Sequence, residues 1–305
     1  MDCEDAFRNK LAEFLVGEQF IFHAPMCEHT TFKIGGAADV LTFPSNIEEV
    51  AAIIRISDEF NLPYTILGNG SNVLIRDKGI RGVVIKFSDK FFGKIRAEGE
   101  KIIAGAGALL KDVSKFAVEK SLSGLEFAVG IPGSLGGAVY MNAGAYGGEM
   151  KNIVSKVTAV SRSAEILYLN AESLNLGYRQ SVFQQNGCAI CEVELNLKHG
   201  NLEEIKNQMA EFTQRRESKQ PLEFPSAGST FKRPQGYFAG TLIDKTGLKG
   251  LKVGGAMVSE KHAGFVVNAG GATAEDVLKL IDEVRRRVNE AHGVNLTPEV
   301  RIIGE

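Results

Sequence analysis

The 305-residue chain has no tryptophan, four cysteines, eight prolines and five histidines. Each shortage narrows the chemistry. Cys3 and Cys27 stand alone, and only Cys188 and Cys191 form a CxxC. No second CxxC and no suitably spaced His pair completes a zinc set. The pair lies in CAICEVELNL, which reads as a strand, where residues three apart point to opposite faces. Both thiols are therefore expected as packed side chains, not as a redox pair. His23, His29, His199, His262 and His292 adjoin no Ser or Cys nucleophile, so no hydrolase triad is visible. No Asp, Glu or His spacing suggests a metal. Neither sign of charge is in excess: 35 basic against 37 acidic residues leaves −2, which gives no support to a nucleic-acid binder. No apolar run reaches the roughly 18 residues needed to span a bilayer. The opening MDCEDAFRNK is acidic and lacks a signal-peptide core, so a cytoplasmic protein without membrane insertion is expected.

Glycine is what the chain has in quantity, 34 residues of it. GIPGSLGGAVYMNAGAYGG, from Gly130 to Gly148, carries glycine at 130, 133, 136, 137, 144, 147 and 148. So much glycine makes a poor helix and a poor strand, because glycine loses the most entropy on ordering. Its backbone is expected to approach a ligand closely; a loop between domains is the bland alternative. Gly68-Asn69-Gly70-Ser71-Asn72 is a second such loop. Successive Gly, Asn and Ser can form a nest of N–H groups that binds an anion such as a pyrophosphate. A tight strand-to-strand turn is the alternative there. Together the loops suggest a ligand of dinucleotide size. Neither GNGSNV nor GAGALL completes a Rossmann fingerprint, and no Walker A sequence is present. A flavin bound by another route fits this combination, with a cofactor supplying the hard chemistry.

Periodicity predicts helices over 3–17, with Phe7, Leu11, Phe14 and Leu15 inward, and from a Ser45 cap with Glu48 as capping box to Phe60. Further helices are expected over 109–120, 201–216 and 273–292, the last with Val277, Leu280, Ile281, Val284 and Val288 on one face. Its Arg285-Arg286-Arg287 run falls on the wet side. Strands are expected at Thr30–Phe32, Val40–Phe43, Tyr64–Leu67, Val83–Phe87, within 94–105 as a hairpin, in three runs between 153 and 197, at Phe265–Asn268 and after Pro298. The architecture is α+β. Its parts are 1–88, 89–200 and 201–297, with a terminal strand at 298–305.

TFKIGG, LGNGSN, GIPGSLGGAVYMNAGAYGGE, YRQSVF, SAGSTFKRP, HAGFVVN and PEVRIIGE occur in this order from about residue 30 onward. The ordered set resembles the UDP-N-acetylenolpyruvoylglucosamine reductases, a MurB-type family of peptidoglycan synthesis, in its shorter-loop form. The resemblance implies an FAD-binding domain of the vanillyl-alcohol-oxidase (PCMH) type over about 31–197, in two parts, followed by an α+β substrate domain. It implies FAD contacts at Gly68, Asn69, Gly70, Ser71 and Asn72, and at Gly130, Pro132, Gly133, Ser134, Gly137, Ala138 and Asn142. No His occurs in either loop, so the FAD is expected to be non-covalent. NADPH is implied as co-substrate, and the reaction as reduction of an enolpyruvyl ether to a lactyl ether. Ser229 is implied as proton donor, Arg179 as holder of the substrate carboxylate, and Glu299 as a stabiliser of the enolate, either protonated or bridged to Arg179. Lys219, Lys232 and Tyr178 are candidates for the substrate phosphates. A monomer is expected. Another FAD oxidoreductase or oxidase of the same fold is the alternative. Chemistry alone would leave Ser229 a turn residue, Arg179 a surface ion pair and Glu299 a strand-edge charge.

Overall fold

The computed structural model describes residues 3–305. The chain forms two compact units, each assembled from separated segments. The first comprises 1–22, 40–69 and 82–215; the second comprises 23–39, 70–81 and 216–305. The sequence boundaries at 88 and 200 fall inside the first unit, and that at 297 inside the second.

The first unit is built on a five-stranded antiparallel sheet in the order Ile166–Asn170, Val154–Val160, Ala189–Asn196, Lys101–Gly105, Ile95–Glu98. A second sheet runs in the order Phe20–Pro25, Ala37–Thr42, Ile80–Lys86, Tyr64–Leu67. In its last pair Tyr64 stands opposite Val83 and Leu67 opposite Lys86, in parallel. The core joins Ile53 and Ile54 to Val83, Ile85, Val113, Val157 and Val193, all fully or nearly buried. Burial of this apolar surface is the main stabilising contribution. Cys188 and Cys191 are buried free thiols, and burial pushes both up from the ordinary thiol range.

Three local readings change in the first unit. The first helix, Cys3–Ala12, stops short of 17, and Phe14 is 45% exposed while Phe7, Leu11 and Leu15 are buried. The helix Ile47–Glu59 is capped by Asn46, whose side chain accepts the Glu49 N–H at 2.8 Å. Ser45-x-x-Glu48 and Asn46-x-x-Glu49 are competing frames one residue apart. The Glu49 carboxylate decides between them, because it also accepts from Ser45 N–H and from Gln19 Nε2. The stretch after Gly130 does contain a helix, Leu135–Tyr140, started by the Ser134 cap. Gly136 is required within it, since a β-carbon there would stand 2.7 Å from Ala106 Cβ.

The second unit packs the long helix Ala274–His292 and the short helix Ala239–Lys245 over Val266–Asn268 and its neighbours Ala256–Val258 and Lys252–Val253. Val277, Leu280, Ile281, Val284 and Val288 are all buried, as their spacing predicts. The Asp77 carboxylate accepts the N–H groups of Ala274 (2.8 Å) and Glu275 (3.0 Å) at the helix start. Arg286 pairs with Glu283 and Glu290 on the wet face. The terminal strand Arg301–Ile303 pairs in parallel with Val73–Ile75. Thr30–Phe32 is not a strand. It is a turn after the 3₁₀ helix Met26–His29, held by Thr31 N–H to Gly70 C=O and broken beyond by Lys33 at φ 54°.

Candidate active site

The two glycine-rich loops meet in the first unit. A β-carbon at Gly68 would lie 2.3 Å from Ser134 Oγ, so only glycine fits. Asn69 Nδ2 donates to Pro132 C=O at 2.6 Å. Ser134 Oγ accepts the Gly137 N–H at 3.4 Å. Gly133 and Ser134 are buried, yet among the described residues their N–H groups, like that of Asn69, have no protein acceptor. Buried N–H groups are almost always paired. The buried pair, with half-buried Asn69 on the adjoining segment, therefore fits an acceptor from outside the chain, such as a phosphate oxygen. The donor set fits the pyrophosphate of a dinucleotide.

Asn142 lies at the end of the same stretch, with φ 41°. Its amide is bonded within the protein: Nδ2 donates to Glu149 Oε2 and to Gly177 C=O, each at 2.9 Å, and Oδ1 accepts the Lys151 N–H at 2.8 Å. An FAD contact through Nδ2 would have to displace one of these bonds, whereas Oδ1 keeps a second lone pair.

Tyr178 and Arg179 form a two-residue turn closed by reciprocal bonds of 3.1 Å between Gly177 and Gln180. Arg179 adopts φ 55°, a left-handed conformation uncommon outside glycine. Its carbonyl accepts from Gln184 Nε2 at 3.0 Å, and its guanidinium lies 5.3 Å from the centre of the exposed Tyr178 ring. Of the sequence candidates, Gly68, Asn69, Gly130, Pro132, Gly133, Ser134, Gly137, Ala138, Asn142, Tyr178 and Arg179 all belong to the first unit.

The second unit contains Gly70, Ser71, Asn72, Lys219, Ser229, Lys232 and Glu299. Gly70, at φ 66°, leaves no room for a side chain: a β-carbon would stand 2.6 Å from His29 C=O. Thr230 is a buried junction. It accepts the Glu299 N–H through its carbonyl at 2.7 Å, donates its own N–H to Gly264 C=O at 2.9 Å, and accepts the Val266 N–H through Oγ1 at 2.9 Å. Exposed Ser229 follows Gly228 at φ 74°, and Lys232 N–H donates to Thr297 C=O at 2.8 Å. Ser229, Lys232 and Glu299 thus sit on two adjoining backbone segments. Lys219 is exposed at the end of the helix Leu202–Lys219.

Two supporting residues carry no mark in the sequence reading. Thr230 is one. His262 is the other: its Nδ1 accepts the Gly264 N–H at 3.1 Å, fixing the residue that holds Thr230. Burial lowers its basicity, with the nearby charges of Lys249 and Lys219 acting the same way. The motifs SAGSTF and HAGFVVN contain both, but neither residue type names a role. Among the described residues no group of three or more His, Cys, Asp or Glu could hold a metal ion, and no helix is long and apolar enough to cross a membrane.

Residues 38–170 match the FAD binding domain model. A solved alkyldihydroxyacetonephosphate synthase shares the fold, with TM-score 0.51 and 15% identity over 64% of this chain and 40% of that one. The matched model marks residues 38–170 as an FAD-binding domain, and the free donors of the glycine loops fit such a ligand. Residues 220–303 match the model "UDP-N-acetylenolpyruvoylglucosamine reductase, C-terminal domain". A protein of that name from Clostridium perfringens (strain SM101 / Type A) is 53% identical over 298 residues, 98% of this chain and 97% of that protein. One from Clostridium kluyveri is 51% identical over 305 residues, the whole of both. The crystal structure of the reductase from Thermus caldophilus superposes with TM-score 0.80 at 38% identity, covering 93% of this chain and 98% of that one. The chain belongs to the UDP-N-acetylenolpyruvoylglucosamine reductase family.

Proposed function

We propose that the protein reduces UDP-N-acetylglucosamine enolpyruvate to UDP-N-acetylmuramate at the expense of NADPH, as a cytoplasmic monomer in peptidoglycan precursor synthesis. The observation that carries the reading is the bond from Glu299 N–H to Thr230 C=O. It sets an exposed serine and a carboxyl group on neighbouring segments of the domain matched by the family's C-terminal model. Gly68–Asn72 and the segment from Gly130 to Ala138 would hold non-covalent FAD, the free N–H groups of Asn69, Gly133 and Ser134 facing its phosphates. Bound there, FAD would supply hydride transfer from NADPH to the terminal carbon of the enolpyruvyl double bond.

The chain's own residues do the rest. Charge develops on the neighbouring carbon and spreads into its carboxylate. The Arg179 guanidinium holds that carboxylate with its paired N–H groups. The Glu299 carboxyl group, protonated or bridged to Arg179, helps stabilise the enolate. Ser229 Oγ–H gives its proton to the carbon beside the carboxylate, a step open to so weak an acid only because an enolate is strongly basic. Atoms balance: one hydride and one proton add across the double bond. Tyr178, Lys219 and Lys232 supply contacts to the nucleotide phosphates. The test is the visible spectrum of the purified full-length protein. A flavin band should appear, bleach with NADPH and return when substrate is added without oxygen. A colourless soluble preparation, or a band indifferent to substrate, would reject the proposal.

A further inference from the structure

The Arg179 turn does not hold itself. Its φ of 55° is strained for arginine, so the surrounding structure must impose it. Bonds from the C-terminal end of the helix Leu135–Tyr140 help to do so, beside the bond of 2.8 Å from Val182 N–H to Leu174 C=O. Ser181 Oγ and Gln184 Nε2 both donate to Tyr140 C=O, at 2.7 and 2.9 Å. Asn142, itself buried, reaches Gly177 C=O at the base of the turn. Asn142 in turn grips Glu149, whose other oxygen pairs with Lys151 at 2.7 Å. Lys151 and Asn142 hold the Glu149 carboxyl below the ordinary carboxylate range, and the Arg179 charge acts in the same direction. A charged carboxylate is thus anchored on one side by Asn142 and lies in the field of the guanidinium.

We propose that Asn142 and Glu149 are positioning residues for Arg179: one Asn142 amide nitrogen holds both Gly177 at the base of the turn and the Glu149 carboxylate, which sets a negative charge beside that turn. Asn142 then serves the substrate carboxylate, while lying in the flavin-facing stretch. The inference rests on the assignment of Arg179 to the substrate carboxylate.

The experiment compares Glu149→Gln, Glu149→Asp and Arg179→Gln in the FAD-loaded enzyme, alone and combined, with the two half-reactions measured separately. Glu149→Gln keeps the shape and the bond to Asn142 but loses the charge; Glu149→Asp keeps the charge and shortens the reach. FAD content and flavin reduction by NADPH should stay within about twofold in Glu149→Gln and Glu149→Asp. Reoxidation by substrate should need about tenfold more substrate in Glu149→Gln, the size expected for one charge-assisted contact. Glu149→Asp should recover most of that loss. Adding Glu149→Gln to Arg179→Gln should change little further. Equal slowing of both half-reactions, better function in Glu149→Gln than in Glu149→Asp, or an additive double variant would each overturn the inference. If Arg179→Gln alone leaves reoxidation unchanged, the assignment of Arg179 falls first and the inference with it.

Discussion

Gly68 and Ser134 stand so close that a β-carbon on Gly68 would sit 2.3 Å from Ser134 Oγ. This contact joins the loop after the strand Tyr64–Leu67 to the cap of the helix Leu135–Tyr140. Gly68→Ala must push Ser134 away from its place as cap. Purified Gly68→Ala should therefore carry far less FAD than wild type, read as the ratio of flavin to protein absorbance. A full complement of FAD would show that the contact yields and that the loops tolerate separation.

Ser229 offers a sharper chemical test. Serine is expected to act only after hydride has reached the substrate. Ser229→Ala should leave NADPH-dependent flavin reduction nearly intact and slow reoxidation by the enolpyruvyl substrate by about 100-fold or more, the usual weight of a general acid. Stopped-flow measurement of each half-reaction decides it. Equal loss in both would remove Ser229 from the proton step.

Stability of the second unit depends on a cap supplied from far away in sequence. Asp77 accepts two N–H groups at the start of the helix Ala274–His292. Asp77→Ala leaves those donors to water and removes a negative charge from the positive end of the helix. A loss of about 1–2 kcal/mol is expected, measured by denaturant unfolding of the loaded enzyme. Asp77→Asn, which keeps an acceptor, should lose less.

Lys86 sets a pH dependence. Burial lowers its pKa to about 8, partly offset by Asp89. The unfolded chain holds that proton until about pH 10.4, the ordinary lysine value. Between the two values the unfolded state binds more protons than the folded state, so this group makes stability rise with pH across that window. Lys86→Met should be more stable than wild type at pH 7, and its advantage should shrink as pH climbs from 8 towards 10. Unfolding midpoints of both proteins at matched pH check this; an advantage that stays constant would contradict it.

What the sequence determined by itself was local or compositional. The buried stripe of the helix Ala274–His292 follows from apolar spacing, because a helix of 3.6 residues per turn aligns those positions whatever they face. Cys191 packs as a strand residue among apolar neighbours, as its segment predicts, whereas Cys188 is buried just ahead of the strand Ala189–Asn196. The two glycine loops pointed to a ligand by composition, although Gly68, Gly70 and Gly136 also serve close packing within the protein. Ser229, Arg179 and Glu299 were singled out by their motifs, since serine, arginine and glutamate are common surface residues whose chemistry depends on surroundings.

Only the tertiary structure decided the rest. The frame of the Ile47–Glu59 cap turned on Gln19, which no local pattern connects to Glu49. Thr230 became a junction through three bonds to Gly264, Val266 and Glu299. Asn142 reaches Gly177, Glu149 and Lys151 through three amide bonds that no local pattern announces. Propensity and periodicity act over a few residues. These bonds join segments far apart in the chain, and their partners are chosen by which backbone groups the packed core leaves without a local acceptor or donor.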